Sequence, residues 1–148
     1  MNKNLLTILI VFAAATFALS SFQNQTAKEP WTDKQLMPPA ELSAMLSDAN
    51  AKLPVIFCIG PANYLRTAID IGPAKEKQNL EKMKEYLSKL PKDTAIVIYC
   101  GCCPFKPCPN VRPAFSLLNE MKFTHHKLLN LEHNFKTDWI DKGYAVMK

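Results

Sequence analysis

Short continuous hydrophobic runs occur at intervals along the chain. Residues 55–58 and 95–99 form two such runs, Leu128-Leu129 with Leu131 marks a third strand, and Ile69 and Ile71 mark a shorter one. Continuous runs of four or five apolar residues are typical of strands that are buried on both faces. Residues 95–99 are the most strongly β-prone of them, because four of the five are β-branched or aromatic residues in an uninterrupted apolar sequence.

Between these runs the hydrophobic residues recur every three or four positions, which predicts helices with one buried face. Four helices are predicted: one that begins at Pro38-Pro39, one over residues 75–90, one that follows residue 111, and a short one over residues 135–142. Strands and helices therefore alternate. This alternation predicts a single α/β domain with a mostly parallel central sheet flanked by helices.

Composition and charge narrow the function classes. The length of 148 residues fits one domain, and a 48% hydrophobic content excludes an intrinsically disordered chain. The net charge of +5 is scattered along the chain and does not form a basic block. We therefore expect no nucleic-acid partner, whereas a small anionic ligand is compatible with this charge.

The N-terminal 20 residues have the pattern of a secretory signal peptide. Lys3 precedes an uncharged apolar run over residues 5–19, and small residues at Ala18 and Ser20 flank its end. The run is shorter than the ~20 residues that span a bilayer. We expect a periplasmic or secreted protein with no membrane attachment after cleavage; an uncleaved N-terminal anchor is the alternative. Residues 21–36 are predicted to be an irregular segment.

Four of the five cysteines lie within nine residues: Cys100, Cys102, Cys103 and Cys108. A disulfide framework spreads its cysteines to close long loops, so this cluster indicates a chemical role for the cysteines and not an architectural one. In a parallel sheet, ligands bind outside the carboxyl ends of the strands. Cys58, Cys100 and His133 follow strands, and Cys58 is either a core residue or a neighbour of Cys100. His125 and His126 precede their strand and are predicted to lie in a solvated loop at the opposite edge.

The segment from Cys100 to Arg112 joins the strongest strand to a helix. A cysteine at such a turn is close to backbone N–H groups and to the positive end of the helix dipole, both of which stabilise a thiolate. Arg112, in the first helical turn, offers a guanidinium that matches an oxyanion. Gly101 and Lys106 are candidate substrate-binding residues, since the loop N–H groups can stabilise negative charge on sulfur and Lys106 can recruit an anion.

This order of features resembles the rhodanese-like family, which are sulfurtransferases with an α/β fold. In that family the catalytic cysteine ends a central strand and begins a loop that closes on an arginine. The similar segments are Pro39-Ala40-Glu41-Leu42, residues 96–100, Leu117-Leu118 with Phe123, and Leu131 with Trp139, Gly143 and Val146. The resemblance implies one domain over residues 37–148 with Cys100 and Arg112 as catalytic residues.

The sequence also departs from the family pattern. Cys100 and Arg112 are twelve residues apart, farther than is usual in the family. Cys108, four residues before Arg112, is therefore an alternative nucleophile. The Asp-x-Arg that often ends the family's earlier strand is replaced by Cys58-Ile59-Gly60.

The expected function is that of a sulfurtransferase, an enzyme that carries sulfane sulfur as a persulfide on Cys100. The expected partners are a small anionic donor such as thiosulfate and a thiol acceptor, and we expect a monomer without a cofactor. Cys102, Cys103 and Cys108 supply a resolving thiol, a disulfide that involves Cys108, or metal ligands. The C-x-C-C-x4-C pattern has four cysteines but not the two paired C-x-x-C units of familiar zinc sites, so we assign no metal. The alternative function is a thiol-redox or soft-metal-binding module on the same scaffold.

Overall fold

Five parallel strands form a single sheet in the described part of the chain. The computed structural model describes residues 28–146. The strands are β1 (Leu36–Met37), β2 (Val55–Cys58), β3 (Ala68–Asp70), β4 (Ile96–Tyr99) and β5 (His126–Leu129). Their order in the sheet is β1-β5-β4-β2-β3, so β4 occupies the centre. The predicted α/β domain with a parallel central sheet is confirmed.

Helices cover both faces of this sheet. They are α1 (Pro39–Ser47), α2 (Lys77–Ser88), α3 (Val111–Glu120) and α4 (Phe135–Asp138). Met83 of α2 and Phe115 of α3 belong to a core cluster on one face with Ile98. Leu42 of α1 and Phe135 of α4 belong to a second cluster on the other face. Because both faces are covered, every residue of β4 is buried, as its continuous apolar run predicts.

The register between β2 and β4 sets the direction of the side chains at the carboxyl edge. Phe57 pairs with Ile98 and Cys58 pairs with Tyr99. Successive strand residues point to opposite faces, so Cys58 lies on the face opposite to Phe57 and Ile98. Cys100 packs in the same core cluster as Ile98, whereas Cys58 packs with Tyr99. The two cysteines are therefore on opposite faces, and the interpretation of Cys58 as a core residue is the correct one.

The folded domain begins earlier than residue 37. Within the segment predicted to be irregular, residues 21–36, a 3-10 turn over Asp33–Gln35 leads into β1. Trp31 is only 7% exposed, and its ring packs against Phe105 and Phe115 at centroid distances of 5.9 and 5.8 Å. This segment was missed because a two-residue strand has no detectable periodicity. The predicted signal peptide, residues 1–20, lies outside the described residues.

Two further predictions need correction. The last helix ends at Asp138, and a 3-10 turn over Ile140–Lys142 follows it before Gly143, which has φ of 77°. His126 is the first residue of β5 and is buried, although a solvated loop was predicted. The neighbouring His125 is exposed.

No helix within residues 28–146 is both long enough and apolar enough to cross a membrane.

Candidate functional site

The candidate site is the cysteine loop, residues 100–110, which connects β4 to α3. Phe105 anchors the loop in the core: it is 4% exposed, and its backbone N–H donates to the Leu131 carbonyl at 3.1 Å. Burial of a phenylalanine of this kind contributes about 1.5–3 kcal/mol. The N–H groups of Cys108 and Val111 donate to carbonyls within the loop, each at 3.3 Å. The loop is therefore held against the carboxyl edge of the sheet.

The Cys100 thiol lies directly beyond the central strand and is 3% exposed. Gly60 makes room for it, since a Cβ at position 60 would lie 2.7 Å from Cys100 Sγ. Asn110 is the hydrogen-bond donor identified at this sulfur: its Nδ2 lies 3.5 Å from Cys100 Sγ. The amide orientation of Asn110 is fixed, because its Oδ1 accepts from the backbone N–H of Lys75 at 3.1 Å.

Sequence reasoning missed Asn110. This residue precedes α3 at the N-cap position, where an asparagine side chain usually accepts from the first helical N–H groups. Here the side chain makes no such bond and contacts Cys100 and Lys75 instead. The sequence expectation was stabilisation of the thiolate by loop N–H groups. The amides of Phe105, Cys108 and Val111 donate to carbonyls, and the side-chain amide of Asn110 donates to Cys100; stabilisation by the remaining loop N–H groups stays a prediction.

Cys108 is fully buried beside Cys100. The hydrogen bond from the Cys108 thiol to Cys100, together with burial, raises the pKa of Cys108 well above its ordinary value. Cys108 is therefore a protonated donor at neutral pH. Since the thiolate is the nucleophilic form of cysteine, this arrangement favours Cys100 over Cys108 as the nucleophile.

The remaining two loop thiols lie close to Cys100 on its outer side. Cys102 is exposed and Cys103 is partly buried. Cys102 Sγ is 3.4 Å from Cys100 Sγ, and it donates to Cys103 Sγ at 3.2 Å. Burial is the main cause that raises the pKa of both Cys102 and Cys103. All five cysteines are free thiols in the structure. Cys108 therefore forms no disulfide here, although the sequence offered one as an alternative.

Arg112 is directed to the N-terminal segment. Its Nη2 donates to both carboxylate oxygens of Glu29 at 2.7 Å, and its Nη1 donates to the Lys106 carbonyl at 2.6 Å. The guanidinium also lies 5.5 Å from the centre of the Trp31 ring. These contacts involve the two candidate anion-binding residues, Arg112 and Lys106, and they join the loop to residue 29. Anion binding by Arg112 stays a prediction.

Gly101 is required by packing. A Cβ at this position would lie 2.8 Å from the Tyr64 ring and 3.2 Å from Phe135 Cβ. The Gly101 carbonyl accepts from the Phe135 backbone N–H at 3.0 Å. Gly101 therefore lets the loop start close to the stacked rings of Tyr64 and Phe135.

A cavity of about 770 Å³ lies on the outer side of the loop. Phe105 and Lys106 line one side of it, and Glu29, Glu132 and His133 also contribute, but no cysteine does. His133 is paired there with Asp138 at 2.9 Å. Burial alone would raise the pKa of Asp138, but the hydrogen bonds from the backbone and ring of His133 lower it. The cavity has mixed charge and does not open onto Cys100, so we do not assign the chemistry to it.

Models of known protein families, curated proteins and solved structures give no match to this chain. The loop provides one buried thiol that accepts a hydrogen bond from Asn110, and two more accessible thiols in contact with it or with each other.

Proposed function

We propose that this protein is a rhodanese-like sulfurtransferase that carries sulfane sulfur as a persulfide on Cys100. The observation that carries the proposal is the position and hydrogen bonding of this thiol. Cys100 follows the central strand at the carboxyl edge of the sheet, and its sulfur accepts a hydrogen bond from Asn110 Nδ2 at 3.5 Å. Donors that point at a sulfur stabilise negative charge on it, which a nucleophilic thiolate requires.

The transfer has two steps. The Cys100 thiolate attacks the outer sulfur of thiosulfate; a new S–S bond forms, the S–S bond of thiosulfate breaks, and sulfite leaves with the electron pair. An acceptor thiolate then attacks the outer sulfur of the persulfide, which regenerates the Cys100 thiolate and leaves the acceptor as a persulfide. Asn110 is positioned to donate to Cys100 Sγ in the thiolate state that begins and ends this cycle.

The donor reaches Cys100 from the side of Cys102 in this proposal. Cys100 is nearly inaccessible, whereas Cys102 is exposed and lies 3.4 Å away from it. Rotation of one small exposed side chain opens the approach to Cys100 Sγ. No large movement of the anchored part of the loop is needed.

Arg112 enters the proposal as a binder of the donor anion. In the resting structure its side chain and that of Glu29 are 42% and 38% exposed. A surface ion pair of this type is worth about 0–1 kcal/mol. Opening of this weak ion pair therefore costs little free energy when a donor anion binds Arg112.

The experiment is a steady-state assay of sulfite release from thiosulfate with a small thiol as acceptor. We expect Cys100→Ser to abolish release. The matched control is Cys58→Ser, since this buried thiol lies on the opposite face of the sheet and is expected to leave the rate unchanged. Full activity in Cys100→Ser contradicts the proposal. Loss in Cys108→Ser with retention in Cys100→Ser would transfer the nucleophilic role to Cys108.

A further inference from the structure

We infer that Cys100, Cys102 and Cys103 form a binding site for one Cu(I) ion. Their three sulfur atoms all lie within 4.8 Å of one another. Within residues 28–146, this is the group of His, Cys, Asp and Glu side chains that brings three ligand atoms so close together. The inference goes beyond sulfur transfer and does not depend on it, because it requires Cys102 and Cys103, which the transfer steps do not use.

The identity of the ligands selects the class of metal. All three are cysteine sulfurs, with no imidazole or carboxylate in the group. Soft thiolate ligands favour soft or borderline ions such as Cu(I) and Zn²⁺ over hard ions such as Mg²⁺ and Ca²⁺.

The number of ligands then separates copper from zinc. Structural zinc sites almost always have four protein ligands, whereas Cu(I) is satisfied by three thiolates. The only other loop thiol, Cys108, is not part of the group in which all sulfurs lie within 4.8 Å. It is fully buried. Three available sulfurs therefore point to three-coordinate Cu(I).

The distances suit a trigonal site after a small adjustment. Metal–thiolate bonds of about 2.3 Å place three sulfurs about 4 Å apart around a central ion. The two shortest separations in the structure are 3.4 Å for Cys100 with Cys102 and 3.2 Å for Cys102 with Cys103. Both must lengthen by less than about 1 Å. Cys102 is exposed and free to make this change, while Gly60 and Asn110 hold Cys100 in place.

The charge balance is simple. Binding replaces three thiol protons by one Cu(I) ion, and the three protons pass to the solvent, so the complex carries two negative charges. Copper stays in the +1 state and no electron transfer is needed. Asn110 donates to Cys100 Sγ, and Lys106 adds a positive charge in the same loop.

The test is a titration of the reduced full chain with Cu(I) under anaerobic conditions, in competition with the chromophoric chelator bicinchoninate. We expect the protein to withdraw one equivalent of Cu(I), with three sulfur neighbours in the X-ray absorption spectrum of the complex. Loss of an outer hydrogen-bond partner of a metal ligand costs 10–100-fold in affinity, so loss of a ligand in Cys102→Ser or Cys103→Ser is expected to cost more than about a hundredfold.

The control is Cys58→Ser, which keeps all three ligands and is expected to bind like the wild type; circular dichroism verifies the fold of each variant. The inference is overturned if the wild type withdraws no Cu(I), or if Cys102→Ser and Cys103→Ser bind as tightly as the wild type. A parallel titration with Zn²⁺ covers the other soft metal. Tighter zinc binding that is lost in Cys108→Ser also overturns it, because the site would then have four ligands.

Discussion

Replacement of Gly60 by alanine is expected to destabilise the folded protein, because the added methyl group would collide with the Cys100 sulfur. The added Cβ would lie 2.7 Å from Cys100 Sγ, while the next nearest atoms, Cys100 Cα and the Gly101 N, are both at 3.5 Å. The last two distances are ordinary van der Waals contacts, so the clash comes from one side-chain atom. Relief of the clash requires the thiol to move away from its place beside Asn110.

The cost follows from the burial of both residues. Gly60 and Cys100 are buried, so neither can swing into solvent. Overpacking of a well-packed core by one methyl group costs about 1–3 kcal/mol. With a urea m-value of about 1–3 kcal/mol per molar, the midpoint of unfolding should fall by about 1 M. In a Cys100→Ala background the clashing sulfur is gone, and Gly60→Ala should cost less than about 0.5 kcal/mol.

The assay is a double-mutant cycle measured by urea unfolding of the wild type, both single variants and the double variant. A coupling free energy of about 1 kcal/mol or more, with the cost of Gly60→Ala reduced in the Cys100→Ala background, supports the packing argument. The Cys100→Ala single variant is the reference for the double variant. Gly143→Ala is unsuitable as a control glycine substitution, because Gly143 has φ of 77° and an alanine there would be strained. An equal cost of Gly60→Ala in both backgrounds would refute the reasoning.

Four further outcomes are expected. Asn110→Leu should slow alkylation of Cys100 by iodoacetamide at neutral pH by about tenfold, since a hydrogen bond to a charged group is lost; an unchanged rate contradicts this role. Burial lowers the pKa of His126 below its unfolded value. The unfolded state therefore binds the His126 proton more strongly than the folded state does. The free energy of unfolding, measured in urea, should fall as the pH decreases from about 7.5 to 5.5. His126→Phe should reduce this pH dependence of stability. Arg112→Gln should raise KM for thiosulfate but not for an uncharged persulfide donor. One equivalent of Cu(I) should block loading of Cys100 with sulfur, and loading that persists with copper bound argues against a shared sulfur.

The sheet could be predicted from the sequence to a large extent. β2 was predicted with its observed bounds, and β4 and α2 were predicted to within two residues at each end, because their apolar patterns are long or continuous. The position of Cys100 at the carboxyl edge followed from the pattern of β4 alone. Local sequence patterns were therefore sufficient to predict the elements whose burial is continuous or periodic along the chain.

The contacts around the site could not be predicted in this way. Arg112 is paired with Glu29, which lies 83 positions away, and no local pattern reports such a pair. Asn110 contacts Cys100 across the loop and Lys75 across 35 positions. Cys58 and Cys100 lie on opposite faces of the sheet because side chains alternate between the faces along β2 and β4, and because the loop begins directly after Tyr99. These features arise from tertiary packing, and the proposed role of Cys100 depends on them.

The most direct test of persulfide formation on Cys100 is the intact mass of the protein before and after incubation with thiosulfate. We predict a gain of one sulfur atom in the wild type and in Cys58→Ser, reversed by a thiol acceptor and missing in Cys100→Ser. No gain in the wild type, or a gain that persists in Cys100→Ser, would contradict the account.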